Sequence, residues 1–510
     1  MSMRILNAIR GGFRRPYLLL LALLSSLVLL STACYQIGAE NSWMRVQNMG
    51  GGPANVEVQY FDADGRMVAS ERSLPIQPGA GWTFSQKDNP NLPLGFLGSA
   101  VVISDQPIAV LMAKDVDKGG GVYQAAGETV ALNAGSDKLY LPNILNRDGF
   151  NQDWNSRFVI QNMGEQTACA TLIYTSNKTD ADEYWEPYDP SISNPKRLAD
   201  CPNGGMPIPA NGSLVRSWST MGVGPGFSGS VRVELHRNAQ KVPPSQQYIV
   251  ATADIWNFNS KQFGSYRGLT TSDMGTSLFI PLVEREAGGE WSTNFQIVNS
   301  DPTKPATVNL RFEGWDGSVN PAQFIVKESQ ITVRAARSCY QNSDWFSCLN
   351  PGDTLPHNFI DGTVRVNSTQ PIGIVASRSS SRSETYVNYR AAKTDEAGRK
   401  VYLPLVDRNA ITVWTRNGLM SWIRVVVADG GQANLTVHYY GPGLAGGEAA
   451  YTIPIYRTFT IVQTLDPALP DGFIGSAVLE SDRPIVALGD VVTGSFAGDP
   501  DFMYNGVPGP

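Results

Sequence analysis

The sequence predicts an all-β chain, built as a tandem array of four immunoglobulin-like antiparallel β-sandwich modules behind an N-terminal signal segment. Three observations predict this class: a signature that recurs four times, short segments in which apolar and polar residues alternate, and the lack of a sustained 3.6-residue apolar period after the signal. Alternation places one face of a strand on a core and the other in water. Modules of roughly 95–135 residues suit one sandwich each and exceed a propeller blade of about 40–50 residues, which makes a single propeller the weaker alternative.

The recurring signature joins a Phe-Gly-Ser turn to a strand that ends near Ser-x-x-Pro-Ile. The four copies span Phe96–Ile108, Phe227–Ile249, Phe359–Ile372 and Phe473–Ile485. The second copy carries an insertion and has lost the proline. In the other copies we expect the proline at a strand entrance, where its missing N–H does little harm.

Three modules open with a short apolar strand that ends in proline, whereas the first module lacks this segment. These opening strands are Leu139–Pro142, Leu278–Pro281 and Val401–Pro404. The predicted division is a signal segment at 1–33 and modules 1 to 4 at 35–133, 139–272, 278–396 and 401–508. Because the linkers are short, we expect a semi-rigid rod of four beads.

The N-terminal segment has the composition of an export signal of the lipoprotein type. Four arginines come first, an apolar run follows at Tyr17–Leu30, and small residues lead to Cys34. The run is shorter than the roughly 20 residues that a spanning helix needs. Ser31–Cys34 resembles a lipobox, although Ser31 stands where leucine is usual. We expect lipidation of Cys34 and attachment to a membrane through that lipid; ordinary cleavage and an uncleaved anchor are the alternatives.

Cysteine usage supports export. The chain has five cysteines, and an odd number in an exported protein leaves one unpaired. The other four form two local pairs, so we predict disulfides Cys169–Cys201 and Cys339–Cys348 and an oxidising compartment. Cys34 is the remaining one.

The segments that close the modules also recur. Met503–Pro508 contains Tyr-Asn-Gly, and degenerate versions stand at Tyr266–Gly268 and Tyr389–Ala391, each followed in sequence by the next opening strand or the chain end. This layout resembles tandem β-sandwich modules of uncharacterised exported bacterial surface proteins and lipoproteins. The resemblance spans nearly all of residues 41–508 and implies fold and location; it carries no activity.

Residues typical of catalytic or metal sites are sparse. The three histidines, His236, His357 and His438, have no ligand spacing, and no nucleophile elbow or phosphate loop is present. We therefore predict no catalytic residues, no metal site and no cofactor. Acidic loops such as Asp180–Glu183 offer oxygen ligands for calcium, but none completes a calcium loop. Charged residues make up 17% of the chain, and removing residues 1–33 would move its net charge from −6 to −10, which argues against nucleic acid as a partner.

Aromatic insertions in modules 2 and 3 are the candidate ligand-binding loops. They contain Trp185 and Tyr188, beside the first predicted disulfide, and Tyr340 and Trp345, inside the second. Aromatic loops pinned by disulfides can form a ligand platform at low ordering cost. The alternative is that these segments cap a sheet edge or pack between modules.

Together these patterns predict an exported, membrane-anchored, non-catalytic protein of the cell envelope or outer surface, with a structural, adhesion or binding role. Its expected partners are the membrane and surface glycans or other envelope proteins. The alternatives are an accessory carbohydrate-binding lipoprotein and a secreted hydrolase whose site is not recognisable in the sequence.

Overall fold

The structure is a computed structural model that describes residues 39–117, 122–129, 135–149, 153–177, 184–186, 201, 205–235, 248–257, 259, 261–315, 324–341, 355–410, 418–492, 497–499 and 501–509. It is all-β, with several antiparallel sheets, as the alternation predicts. The predicted signal segment and Cys34 lie outside the described residues. We keep the names modules 1 to 4 for the four residue ranges defined above.

Module 1 contains two sheets. Its strands are β1 Ala39–Asn48, β2 Val56–Asp62, β3 Met67–Arg72, β4 Gly81–Ser85, β5 Gly98–Ser104, β6 Ile108–Asp117 and β7 Val122–Thr129. One sheet has the order β4-β1-β6-β7 and the other the order β3-β2-β5.

Module 2 adds an opening strand to the same plan. Its strands are β8 Lys138–Asn146, β9 Trp154–Asn162, β10 Ala168–Ser176, β11 Tyr184–Trp185, β12 Met206–Ile208, β13 Ser213–Ser217, β14 Phe227–Leu235, β15 Ile249–Asn257, β16 Phe263–Arg267 and β17 Leu269–Thr270. One sheet has the order β11-β10-β14-β8-β17, with β12 also on β10, and the other the order β13-β9-β15-β16.

Modules 3 and 4 repeat this arrangement with one long strand each. Module 3 has β18 Gly275–Arg285, β19 Trp291–Asn299, β20 Ala306–Trp315, β21 Phe324–Val333, β22 Ser338–Gln341, β23 Phe359–Ser380, β24 Tyr386–Arg390 and β25 Ala392–Lys393. Module 4 has β26 Gly398–Arg408, β27 Met420–Val427, β28 Gln432–Tyr440, β29 Glu448–Tyr456, β30 Thr458–Val462, β31 Phe473–Val492, β32 Ala497–Asp499, β33 Asp501–Asn505 and β34 Val507–Pro508.

The recurring signature joins two sheets in module 1, where β6 begins directly after Pro107, as expected. In modules 3 and 4 the expected strand entrance at the proline is wrong, because a single strand, β23 or β31, runs through it. The first and last parts of that strand pair with different strands of one eight-stranded sheet. The proline carbonyl is the repeated contact in modules 1, 3 and 4, because it accepts a hydrogen bond from the residue that follows β1, β19 or β27. The donor–acceptor pairs are Met49 N to Pro107 O (2.8 Å), Ser300 N to Pro371 O (3.1 Å) and Ala428 N to Pro484 O (2.9 Å).

The closing tyrosines bind the opening strands of their own modules. The Tyr266 hydroxyl donates to the carbonyl of Asn143, one residue after the opening proline, over 2.8 Å. Tyr389 and Tyr504 make the equivalent bonds to the carbonyls of Leu282 and Leu405. All three tyrosines are fully buried. We call this contact the tyrosine clasp; it gives a physical role to the repeated Tyr in the closing segment.

Hydrophobic cores follow the modules. Four large clusters of buried side chains are drawn mainly from residues 44–110, 139–269, 278–391 and 401–504. Apart from one pairing, every strand pairing in the described residues joins strands of the same module; the exception is β32 of module 4, which pairs in parallel with β7 of module 1.

The four closing strands β7, β16, β24 and β33 meet around one axis. β7 and β24 each contact both β16 and β33. Residues from all four strands line one narrow space, which leaves no room for a water molecule within the described residues. The modules therefore form a closed ring, and the expected rod of beads is wrong. Short linkers also allow ring closure when the faces between modules are complementary.

Candidate functional site

The aromatic insertion of module 2 lies at the edge of a sheet. Cys169 and Cys201 form the predicted disulfide, and both side chains are buried. Trp185 lies in β11, which pairs with β10 opposite Ile173. The adjacent Glu186 accepts hydrogen bonds from the Tyr174 hydroxyl (2.6 Å) and the Arg216 guanidinium (2.7 Å). In this short part of the insertion, an edge strand and an ion pair hold the backbone in place.

The insertion of module 3 begins in an edge strand. Cys339 and Tyr340 lie in β22, which pairs with β19 opposite Ile297 and Gln296. The other predicted loop residues, Tyr188 and Trp345, and the predicted partner Cys348 lie outside the described residues. The structure therefore does not bring the four aromatic candidates together into one described surface.

Two of the three histidines each contact a glutamate side chain; His236 lies outside the described residues. His357 Nδ1 contacts a Glu286 carboxylate oxygen, and His438 Nδ1 lies 2.9 Å from Glu448 Oε1. In the described part of the chain, no group of three or more His, Cys, Asp or Glu side chains is placed to hold a metal ion.

The faces between modules 1 and 2 hold a buried charge cluster. Lys114 Nζ lies 2.7 Å from Asp254 Oδ1, and Arg157 Nη2 lies 2.6 Å from Asp254 Oδ2. Arg157 also pairs with Glu40. Burial alone would raise the pKa of Asp254, but the two cations lower it to about 2. The cluster thus joins two modules through a permanently charged carboxylate.

The same position in β1, β19 and β27 contacts the adjacent module of the ring. Arg45 Nε donates to the Pro404 carbonyl (2.5 Å), Gln296 Nε2 to Asn143 Oδ1 (3.1 Å), and Arg424 Nη1 to Asp361 Oδ1 (2.9 Å). These polar side chains were not recognisable as contact residues in the sequence. They alternate with residues of their own module's core, so they lie on the opposite face of the strand, which the sequence pattern predicts to be in water.

Asp499 ties three modules together at the axis. Its Oδ2 accepts hydrogen bonds from the backbone N–H groups of Phe263 in module 2 and Tyr386 in module 3, each over 2.8 Å. Burial raises the pKa of Asp499 well above its usual range. The neighbouring Asp490 and Asp501 are also buried, and burial raises the pKa of Asp501 to about 6.

A second candidate surface is the edge of β5 in module 1. β5 pairs with β2, and along its other edge no strand lies within the described residues. The corresponding strands β14, β23 and β31 are each covered by an opening strand. The sequence already indicated this uncovered edge, because module 1 lacks the opening segment that the other three modules have.

Comparisons with known proteins identify no family. No family model and no curated protein matches the chain. Among solved structures, a crystal structure of Thermotoga maritima 1070 is similar at 14% identity and a TM-score of 0.18, and covers 22% of this chain and 95% of that one. A crystal structure of a tetra-tandem repeat in the extending region of a large adhesion protein matches at 11% identity and a TM-score of 0.10, over 93% of this chain and 96% of that one. Among the described residues, no helix is long and apolar enough to cross a membrane.

Proposed function

We propose that this chain is an exported, membrane-anchored, non-catalytic protein of the cell envelope that serves a structural, adhesion or binding role. We also propose that its four modules are immunoglobulin-like sandwiches and that Cys34 carries the lipid. The buried Cys169–Cys201 disulfide carries the proposal, because stable disulfides form in oxidising compartments. The N-terminal arginines, the apolar run and the small residues before Cys34 supply the export route.

The ring supports a structural or binding role. Its inner faces are occupied by contacts between modules, such as the Asp254 cluster and the Asp499 bonds. Partners would therefore meet the outer strands and loops. The edge of β5 is one such surface, and it differs from the equivalent strands of the other modules because no opening strand among the described residues covers it.

The test is the intact mass and membrane partition of the mature protein, wild type beside Cys34→Ser. We expect a diacylated N-terminal cysteine in the wild type, and loss of both the lipid and the membrane association in the variant. An unmodified chain released to the medium would contradict the anchor. Turnover of a glycan or protein polymer by the purified protein would contradict the non-catalytic role.

A further inference from the structure

The edge of β5 exposes apolar side chains that the other modules bury. Val231 and Val233 of β14 lie opposite Leu141 and Leu139 of the opening strand and are at most 1% exposed. The register of the neighbouring strands makes Ala100 and Val102 their equivalents, because Tyr60 lies opposite Ala100 as Tyr174 lies opposite Val231. Ala100 and Val102 are both partly exposed.

Exposed apolar surface is concentrated in module 1. Of 13 large hydrophobic side chains that are exposed in the described residues, seven belong to this module. Its hydrophobic core is the smallest of the four. They are Met67, Val68, Leu74, Trp82, Leu94, Leu97 and Ile103. An open strand edge in an incomplete sheet is a template for strand addition.

Module 1 also lacks the tyrosine clasp. In modules 2 to 4, the clasp tyrosine lies in the closing strand opposite a small residue of the preceding strand, as Tyr266 lies opposite Ala253. The matching position in β7 is Glu128, opposite Met112. A strand at the β5 edge would therefore not be locked by a tyrosine, so it could be supplied by another molecule.

We propose that β5 binds an extended apolar strand donated by a partner protein, antiparallel to β5 and with alternating side chains of the Leu-aromatic-Leu-Pro type. The occupant's chemistry follows from the three filled edges of this same chain, whose opening strands read Leu-Tyr-Leu-Pro, Leu-Phe-Ile-Pro and Val-Tyr-Leu-Pro. The inference rests on the proposed function, because a chain processed at Cys34 keeps only five residues before β1 begins at Ala39. In module 2, seven residues connect the opening strand to the next strand, so those five cannot supply both a connection and a strand.

The experiment measures peptide binding to the exported protein, purified from membranes after its N-terminus is identified by mass. The probe is a peptide with the sequence of residues 138–146, and the matched control is the same peptide with Leu139→Asp and Leu141→Asp. We expect the control to bind at least about tenfold more weakly, because each buried leucine contributes substantially to affinity. Hydrogen exchange should show new protection of residues 98–104 only with the first peptide.

Protein variants provide a second control. Val102→Asp should weaken peptide binding, whereas Ile103→Asp, at the adjacent and exposed position, should leave it unchanged. Equal binding of the two peptides would overturn the proposal. So would peptide-induced protection of β14 in place of β5, because it would show that the peptide replaces β8 in module 2. So would an exported protein that retains residues 1–33, as its mass would show, and accepts the peptide only after they are removed, since those residues would then be the donor. If the exported protein carries no lipid but still binds the peptide, only the proposed membrane anchor is contradicted, and strand binding at β5 stands.

Discussion

The buried ion pair of Lys114 and Asp254 stabilises the contact between modules 1 and 2. The described hydrogen bonds of the Lys114 ammonium group go to Asp254, and both side chains are at least nine-tenths buried. Asp254→Ala would leave that buried cation without its partner, which typically costs about 3–5 kcal/mol in the free energy of unfolding. Urea denaturation of the purified protein measures this loss.

The exposed ion pair between Arg311 and Glu328 is the matched control for Asp254. Its two side chains are 46% and 71% exposed. Glu328→Ala should therefore cost less than about 1 kcal/mol. Adding Lys114→Met to Asp254→Ala should recover part of the loss, because it removes the unpaired charge. A similar loss in the free energy of unfolding for Asp254→Ala and Glu328→Ala would contradict a special contribution of the buried charge pair.

Asp407 makes stability depend on pH. Both carboxyl oxygens are buried and have no hydrogen-bond partner among the described residues. Burial raises the pKa of Asp407 to about 7, and the charge of Arg45 opposes the change. Between about pH 4 and 7 the folded chain keeps a proton that the unfolded chain releases, so stability falls as pH rises through this window. Asp407→Asn mimics the protonated acid. We expect it to abolish a decrease of roughly 2–4 kcal/mol in the free energy of unfolding across this pH window.

The measurement for Asp407 is the free energy of unfolding at pH 4.5 and pH 8, wild type beside variant. The two proteins should be similar at the lower pH, and the variant more stable at the higher. Asp471→Asn makes the same chemical change at a side chain that is 75% exposed, and should leave the pH profile unchanged. Parallel profiles for wild type and Asp407→Asn would contradict the buried titration.

At the scale of the element, alternation and the repeated signature predicted strands well because both are local properties of the backbone. The opening strands at Leu139–Pro142 and its two counterparts lie where the sequence placed them. The passage of β23 through Pro371 was not predictable, because its two parts pair with different strands that lie far away in the sequence. For the candidate site, the Cys169–Cys201 pair was predictable from spacing, whereas the contact role of Arg45 required the neighbouring module.

The disulfide of module 2 is anchored in β10, the strand that pairs with the short strands β11 and β12. It joins Cys169 in β10 to Cys201, 32 residues further along the chain. In the chain-entropy model a loop of this length contributes about 3–4 kcal/mol. The double variant Cys169→Ala with Cys201→Ala should therefore unfold at a lower denaturant concentration. Hydrogen exchange should increase first in β10 and β12, and unchanged exchange there would contradict a local role.

At the scale of the whole molecule, the ring depends on contacts that join residues far apart in sequence. Gln47 of module 1 donates to the carbonyls of Gly79 and of Ala477 in module 4. Ser476 of module 4 donates in turn to Gly79. Neither the repeat nor the short linkers carries information on such pairs, so a rod and a ring remain equally compatible with the sequence alone.

Asp499 offers the sharpest test of the ring. Asp499→Ala removes the acceptor of two buried backbone N–H groups, at a cost of about 1–3 kcal/mol for each. Asp499→Asn keeps an oxygen acceptor of nearly the same shape in place, so both backbone hydrogen bonds should remain and the variant should behave as the wild type. Hydrogen exchange should rise in β16 and β24 in the alanine variant only.

Small-angle scattering then distinguishes the two shapes. A compact chain of this size has a radius of gyration of about 23 Å, whereas four such domains end to end give roughly 40 Å. We expect the compact value for wild type and Asp499→Asn, and a larger value for Asp499→Ala as the ring opens. Because the parallel pair of β32 and β7 also closes the ring, opening requires that this pair separates as well. A wild-type value near that of the rod would contradict closure, and a compact alanine variant would show that the other contacts between modules hold the ring without Asp499.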